Sequence, residues 1–228
     1  MRRPMKITDR VYIAGGGDIS DPKDCCVYLV DGGTELAIID AGAGDGVDNI
    51  IDNISQLGFD PSRVKLIIAT HGHIDHIGGL KALKDHFDAQ VAAHELELAA
   101  IQEARPELTA ASFYGVDYKP VQVDIKLSGK LNELKVGDVK LQCLFTPGHT
   151  PGGVSVYADL PGGRVLFGQD IHGPFSTMWG SDMSDWRSSM EALLKLKADI
   201  LCEGHFGVYA PAGEVEKYIK GYLAAHTR

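Results

Sequence analysis

The sequence predicts an α/β fold with four layers, in which two β-sheets pack face to face and helices cover both outer faces (αββα). Two observations support this fold class. Apolar strands and amphipathic helices alternate in the first part of the chain, and a second group of strands and helices fills the rest. The 228 residues show no repeat or low-complexity tract, so we expect residues 1–228 to form one domain.

The first part of the chain predicts five strands and three helices. The strands share short apolar runs bounded by glycine or polar turns: 11–14, 26–30, 36–39, 64–69 and 90–93. The helices share apolar residues at helical spacing: 47–57, 80–87 and 95–104. The run at 64–69 is expected to be buried on both faces of its sheet.

The second part predicts five further strands and two helices. The strands again share apolar runs between turn residues: 131–134, 139–145, 154–158, 165–167 and 199–202. Ser184 is expected to cap a helix that runs to Leu196. Pro211 marks the start of a last helix, which runs to about Ala225.

Residues 105–124 form the least regular stretch of the sequence. The stretch carries Phe113, Tyr114 and Tyr118 but shows no clean period. A long irregular segment inside a domain is often a lid or binding loop. The alternative is a surface excursion that packs over the core, and both interpretations stay open.

Composition and charge narrow the function classes. The chain has 22 Lys plus Arg and 31 Asp plus Glu, a net charge of −9, which disfavours a nucleic-acid partner. No apolar run is long enough to span a bilayer, and no apolar stretch follows the basic residues near Met1, so neither membrane association nor a secretory signal is expected. We therefore expect a cytoplasmic protein that acts on a small molecule.

Four cysteines are scattered along the chain: Cys25, Cys26, Cys143 and Cys202. None of them belongs to a C-x-x-C pair. We expect reduced, mostly buried thiols, in preference to a metal-binding or redox role.

The most informative segment is Thr70-His71-Gly72-His73-Ile74-Asp75-His76. It follows an apolar strand and precedes a helix, a place where α/β folds commonly put their sites. His71 and His73 are two residues apart, so an extended backbone directs both rings the same way, whereas Asp75 and His76 can face a second point nearby. With nine histidines in the chain, such a string arises by chance roughly once in a thousand sequences.

Three later residues extend this set of possible metal ligands. His149, Asp170 and His205 each follow an apolar strand and lie in a turn rich in glycine or proline. A single histidine after a strand is more often structural than a ligand. Three such turns after a complete four-ligand motif favour metal binding for all of them.

On these motifs the sequence resembles the metallo-β-lactamase superfamily over essentially its whole length. Asp40, in the segment Ile38-Ile39-Asp40-Ala41-Gly42, matches an aspartate found early in the sequences of that family. In the family this aspartate contacts the metal ligands and not the metal itself. The resemblance implies one metal ion at His71, His73 and His149, a second at Asp75, His76 and His205, and Asp170 as a bridge between them. It also implies a sandwich of two sheets flanked by helices.

Within the superfamily, the ligand set most resembles the glyoxalase II and lactonase branches. Antibiotic-hydrolysing members have a cysteine ligand or lack the bridging carboxylate, whereas Asp170 stands at that position here. Flavodiiron proteins have glutamate where this chain has His73. The chain after His205 is too short for the helical extension that binds glutathione in typical glyoxalase II enzymes, so a glutathione thioester is not the expected substrate.

The ligand types predict the chemistry. Five imidazoles and two carboxylates suit Zn²⁺, and Fe or Mn would also fit. Two metal ions about 3.5 Å apart share a hydroxide, because metal lowers the pKa of water from about 15.7 towards about 7. We expect this hydroxide to attack a small ester, thioester or lactone, with Asp75 orienting it as well as binding metal.

Two other interpretations compete with a hydrolase. An iron-dependent persulfide dioxygenase shares the fold and motif positions, but those enzymes usually carry a glycine-cysteine-arginine signature that is absent after Asp170. A non-catalytic metal-binding protein is the third interpretation, and the full ligand set argues against it. Metal content and oxygen consumption distinguish the first two.

The specificity surface is predicted to combine residues 106–123 with the turn after Asp170. These two places share four aromatic side chains: Phe113, Tyr114, Phe175 and Trp179. His172 follows Asp170 by two residues and is expected to donate a hydrogen bond to the substrate or to position the leaving group. The alternative is that His172 and the aromatics pack structurally.

Overall fold

Thirteen strands form two sheets in this computed structural model, which describes residues 2–226. In each sheet the strands lie side by side in chain order. The first sheet has seven strands: β1 (Met5–Lys6), β2 (Val11–Gly15), β3 (Val27–Asp31), β4 (Leu36–Ile39), β5 (Val64–Ile68), β6 (Gln90–His94) and β7 (Ile125–Leu127). The second has six: β8 (Leu131–Val136), β9 (Val139–Phe145), β10 (Val154–Leu160), β11 (Gly163–Gln169), β12 (Ile200–Glu203) and β13 (Val208–Tyr209).

The direction of the strands decides where their polar ends meet. β1 to β4 are antiparallel, whereas β4 to β7 run parallel, with Ile68 of β5 opposite Ala92 of β6. In the second sheet only β11 and β12 run parallel, with Phe167 opposite Cys202. The carboxyl ends of β11 and β12 therefore lie at the same edge, so the loops that follow them are neighbours.

Within residues 2–226, eight α-helices accompany the sheets: α1 (Val47–Gln56), α2 (Ile74–Ile77), α3 (Leu80–Phe87), α4 (Leu98–Ile101), α5 (Pro106–Thr109), α6 (Ala111–Tyr114), α7 (Met183–Leu196) and α8 (Ala212–Ala225). The apolar faces of α1 and α3 pack on the outer face of the first sheet through Ile54 and Leu83. Helices α7 and α8 cover the second sheet through Trp186 and Ile219. The expected spacing of apolar residues therefore produces helices on both outer faces.

The inner faces of the two sheets form a separate apolar layer. Ile39 and Ile68 of the first sheet pack there with Val156 and Phe167 of the second, and all four are almost fully buried. Burying such a side chain contributes about 1.5–3 kcal/mol. The predicted four-layer αββα sandwich is confirmed, and the shared inner layer holds the two sheets, and thus their loops, in a fixed relation.

The start of α7 differs from the prediction. Asp182, not Ser184, caps the helix, because its Oδ1 accepts the backbone N–H groups of Ser184 and Asp185 at 2.7 and 2.9 Å. A carboxylate at the helix N-terminus accepts hydrogen bonds from two backbone N–H groups that have no partner within the helix. Its negative charge also interacts favourably with the helix dipole. The predicted helix from Pro211 is confirmed, with Pro211 itself at the cap position.

The region from 95 to 124 is also arranged differently. The predicted helix at 95–104 is a 3-10 turn at Glu95–Glu97 followed by α4, which ends at Ile101. The stretch expected to be irregular contains the one-turn helices α5 and α6. Ala110 has a positive φ of 54° between them, which breaks the helical path into two single turns.

All four cysteines are buried and unpaired, as predicted. Within residues 2–226, no helix combines the length and apolar character needed to cross a membrane.

Candidate metal centre

The four-residue motif lies at the carboxyl end of β5, as predicted. His71 is in the loop directly after the strand, and His73 caps α2 with extended backbone angles, φ −75° and ψ 147°. The single turn of α2 then carries Asp75 and His76. The change from extended to helical backbone at His73 directs the two later side chains towards a second point, as the spacing predicts.

The other three candidate ligands come from the second sheet. His149 lies in the loop between β9 and β10, Asp170 directly follows β11, and His205 lies two residues after β12. Because β11 and β12 are parallel neighbours, their ends meet at one edge, opposite the motif on the first sheet. The structure thus brings all seven candidate residues together between the two sheets.

Three histidines, His71, His73 and His149, form what we call the histidine set. The Nδ1 atom of His73 lies 3.2 Å from Nε2 of His71 and 2.9 Å from Nε2 of His149. Oδ2 of Asp170 is 3.4 Å from His149 Nε2 and 3.8 Å from His71 Nε2. Donors bound at about 2.0–2.1 Å to a tetrahedral ion would lie about 3.4 Å apart, so these separations fit one ion.

Asp75, His76 and His205 form what we call the mixed set. Nε2 of His205 lies 3.4 Å from Nε2 of His76 and 3.3 Å from Oδ2 of Asp75. Oδ1 of Asp170 is 3.2 Å from His76 Nε2 and 3.4 Å from His205 Nε2. Asp170 therefore presents one carboxylate oxygen to each set.

The electrostatics of the two sets differ. Burial lowers the pKa of His71 well below its ordinary value and that of His73 to about 3, so these rings are neutral and present lone pairs. Burial also opposes charge on His205, but Asp170 and Asp75 outweigh it and raise its pKa to about 10. The histidine set offers three imidazoles, the mixed set offers two imidazoles and the carboxylate of Asp75, and Asp170 turns one oxygen to each. This is donor chemistry that suits a divalent cation at each set.

Asp40 supports the mixed set from behind. Its Oδ2 lies 2.8 Å from Nδ1 of His76 and accepts the Thr70 hydroxyl at 2.8 Å, while its Oδ1 accepts the Thr70 backbone N–H at 2.8 Å. Because Asp40 engages Nδ1, Nε2 is the nitrogen that His76 directs towards the site, where it would bind metal after losing its proton. Burial opposes charge on this ring, but neighbouring groups, the carboxylates among them, raise its pKa well above its ordinary value. Asp40 has a positive φ of 63°, a strained conformation that this network maintains.

Glu97 joins the loops that carry the histidine set, and sequence reasoning missed it. Its Oε2 accepts the N–H of Gly72 at 2.9 Å, and its Oε1 accepts the N–H of Gly152 at 2.7 Å. A Cβ at position 72 would lie 2.6 Å from Oε2, so the position requires glycine. The carboxylate is buried, which raises its pKa. Nothing in the local pattern of a predicted helix distinguishes Glu97 from an exposed glutamate.

Tyr114 brings the 105–124 segment into the site. Its hydroxyl donates to Oδ2 of Asp75 at 2.9 Å. Burial, followed by the neighbouring Asp75, raises the pKa of this phenol, so it keeps its proton. The adjacent Phe113 meets Trp179 edge to face at 5.9 Å between ring centroids. The segment therefore lies over the candidate ligands.

His172 lies beside the mixed set, as its position in the sequence suggested. Its Nδ1 is 2.8 Å from Oε1 of Glu203, which is fully buried. The other oxygen of Glu203 accepts the backbone N–H groups of His205 and Phe206 at 2.7 and 2.8 Å. Because Glu203 accepts the Nδ1 proton, Nε2 of His172 is the ring nitrogen available to a substrate.

A pocket of about 540 Å³ opens above the ligands. Its walls combine candidate ligands with aromatic and apolar side chains: His73, Asp75, Ala110, Phe113, Tyr114, Asp170, His172, Pro174, Trp179, His205 and Phe206. Three of the four aromatics predicted for this surface line it. Phe175 does not, because its ring packs on Trp186 at 5.2 Å in the core under α7.

Comparison with known proteins agrees with this architecture. The profile of the metallo-beta-lactamase superfamily matches residues 21–205. The chain is 32% identical over 189 residues to the probable metallo-hydrolase YqgX of Bacillus subtilis, covering 81% of this chain and 86% of that protein. It is 27% identical over 203 residues to the hydroxyacylglutathione hydrolase GloC of Haemophilus influenzae, covering 84% and 89% respectively.

Solved structures show the same fold. The subclass B3 metallo-beta-lactamase BJP-1 of Bradyrhizobium japonicum superposes with a TM-score of 0.81 at 23% identity, over 98% of this chain and 92% of that one. The chain belongs to the metallo-β-lactamase superfamily. The expectation of a metal-dependent hydrolase is confirmed at this level of detail.

Proposed function

We propose that this chain uses two divalent metal ions, for which Zn²⁺ is well suited, to hydrolyse a small ester, thioester or lactone. The observation that carries this proposal is the placement of Asp170, which directs Oδ2 to the histidine set and Oδ1 to the mixed set. A carboxylate between two donor sets is the arrangement that holds a pair of ions at a short separation. The Haemophilus influenzae relative, a hydroxyacylglutathione hydrolase by name, supports thioester or ester chemistry.

The residues divide the reaction between them. Bound metal ions supply water that is deprotonated near neutral pH and an electrophile for the substrate carbonyl. We assign Asp75 to orient the attacking water in addition to binding metal, and Tyr114 holds Asp75 through its hydroxyl. Addition of water to the carbonyl carbon breaks the ester C–O or thioester C–S bond and yields an acid and an alcohol or thiol.

The leaving group needs a proton, and His172 is placed to transfer one. With Nδ1 held by Glu203, Nε2 takes up a proton from the water and returns it to the leaving oxygen or sulfur. Once it carries that proton, Nε2 can also donate the hydrogen bond to the substrate that the sequence predicts for His172. The buried, unpaired thiols support a reducing, cytoplasmic setting for a small-molecule substrate.

Metal analysis combined with turnover tests the proposal. Protein purified without chelators should contain close to two metal ions per chain and should hydrolyse a simple ester, thioester or lactone. His205→Ala should lose one ion and most activity, whereas His86→Ala, which changes an exposed histidine on α3, should keep both. One tightly bound iron and oxygen consumption with a persulfide would instead identify the dioxygenase.

A further inference from the structure

Aromatic side chains extend the pocket above both donor sets. At the histidine set, Trp179 packs edge on against His73 at 5.1 Å and is itself met by Phe113. At the mixed set, Phe206 packs against His172 at 4.7 Å, and His172 lies 5.2 Å from His205. A substrate carbonyl between the two sets would therefore place its attached groups against aromatic rings.

Two of these rings are unusually exposed. Phe113 is 69% exposed and Phe206 is 57% exposed, although both are large and apolar. Within residues 2–226 the other exposed large apolar side chains are Met5, Leu96, Leu131 and Met178, and none of these lines the pocket. Covering exposed rings at the mouth of a pocket with an apolar group removes apolar surface from water, which lowers the free energy of the complex. These rings therefore favour an apolar ligand.

The charges in the pocket lead to the same conclusion. Among the described residues that line it, none is lysine or arginine, and the acidic side chains are Asp75 and Asp170. In the two-metal protein, where His205 would hold metal and carry no extra proton, a carboxylate on the non-reacting part of the substrate would leave water without gaining a lysine or arginine in exchange. If it moved instead to the metal ions, it would occupy the position that the reacting carbonyl needs.

We propose that the pocket selects uncharged substrates, namely esters or lactones whose non-reacting part is an alkyl or aryl group, and discriminates against anionic ones such as glutathione thioesters. This proposal rests on the hydrolase function proposed above. Phe113 and Phe206 are the specificity-determining residues, because both line the pocket with exposed rings that the apolar part of the substrate would cover.

A matched pair of esters tests the proposal. 4-Nitrophenyl hexanoate and the mono-4-nitrophenyl ester of adipic acid have acyl chains of the same length, one ending in methyl and the other in carboxylate. With the two-metal protein, kcat/KM for the hexanoate should be at least tenfold higher, and S-lactoylglutathione should be a still weaker substrate. Equal or faster turnover of the adipate ester or of the glutathione thioester would overturn the proposal.

Variants locate the selectivity. Phe206→Lys adds a cation at the mouth and should reduce the preference for hexanoate over adipate at least fivefold. Phe113→Ala should raise KM for hexanoate severalfold with little change in kcat. Leu131→Ala, which removes an exposed apolar side chain from β8, serves as the control. It should leave the preference for hexanoate over adipate and the KM for hexanoate unchanged.

The outcomes separate this proposal from the hydrolase function. If the two-metal protein hydrolyses none of these substrates (the two esters, the thioester and a lactone), the proposed function itself fails. If it hydrolyses them but prefers the anionic substrates, or if Phe206→Lys leaves the ratio unchanged at full metal content, only the selectivity proposal fails. Because Phe113 and Phe206 are exposed, melting temperatures close to that of the unchanged protein should confirm that the variants fold.

Discussion

The histidine set and the mixed set share Asp170 but differ in burial and charge. His71, His73 and His149 are at most 5% exposed, and burial keeps the rings of His71 and His73 neutral. In the mixed set, His205 has a side chain that is 25% exposed to the pocket, and Asp75 adds a second carboxylate. One half of the centre is thus enclosed and nitrogen-rich, and the other is open and more acidic.

This difference suggests a division of labour. Neutral, buried imidazoles need lose no proton to bind a metal ion, so the histidine set should retain its ion most firmly. The mixed set faces the pocket, and Tyr114 and His172 lie beside it, so it should contribute more to the binding of substrate and the transfer of protons.

The shared carboxylate should have the largest effect. Asp170→Ala removes an oxygen from both sets and leaves two cations without the charge between them, so we expect kcat/KM to fall by about 10³-fold or more. Asp75→Asn keeps the shape and a weak oxygen ligand, and a loss of about 10–10²-fold is expected. Steady-state kinetics at verified metal occupancy should show this ranking, and comparable losses would contradict it.

Metal removal should destabilise the fold, because the ligands come from loops of both sheets. An ion present at 1,000 times its dissociation constant contributes about 4 kcal/mol, which for a chain of this size corresponds to about 8–16 °C in Tm. Chelation should lower Tm by such an amount, and added metal should restore it. His149→Ala should reduce the difference in Tm between the metal-bound and metal-free protein more than His205→Ala does. An unchanged Tm after verified metal removal would show that the metal ions do not stabilise the contact between the two sheets.

The response to pH should separate the two sets. The pKa of His205 is raised to about 10, so below that pH its ring carries a proton that metal must displace. The pKa of His76, in the same set, is also raised well above its ordinary value, because the groups around it outweigh the burial that opposes its charge. Affinity for the second ion should therefore fall at least tenfold for each unit that pH decreases between 8 and 6. His73, with a pKa lowered to about 3, stays neutral over this range, so affinity for the first ion should change less.

Calorimetric titration of metal in buffers of different ionisation enthalpy measures the protons released with each ion. At least one more proton should be released with the second ion than with the first, because His76 and His205 both have raised pKa values. Equal proton release for the two ions would contradict the contrast between the sets.

The sequence predicted the parts of the centre that lie close together in the chain or directly after strands. The motif from His71 to His76 is local, and its position after an apolar strand indicated the edge where it lies. His149, Asp170 and His205 could be proposed because each follows a strand in a turn. The two-sheet arrangement was predictable for the same reason, since the apolar pattern of each strand and helix indicates which face is buried.

Contacts between distant, irregular segments could not be predicted in this way. Tyr114 reaches Asp75 across 39 positions, and Glu97 reaches Gly72 across 25. Phe175 was wrongly expected in the pocket, because proximity to Asp170 in the sequence does not determine which way a side chain faces in a turn. These side chains lie where no period of 2 or 3.6 residues indicates an inward face.

Glu97 offers the subtlest test of the contrast between the sets, because it touches the loops of only one of them. Its two oxygens hold the N–H groups of Gly72 and Gly152, which lie beside His71, His73 and His149 in the chain. In Glu97→Gln one of these N–H groups would face the amide NH₂ instead of an oxygen. We therefore expect affinity for the first ion to fall about tenfold, and affinity for the second to change less. Glu95→Gln, an exposed change two residues away, is the matched control. Metal titration with a chromophoric chelator measures both affinities, and a loss confined to the second ion would show that Glu97 does not position the histidine set.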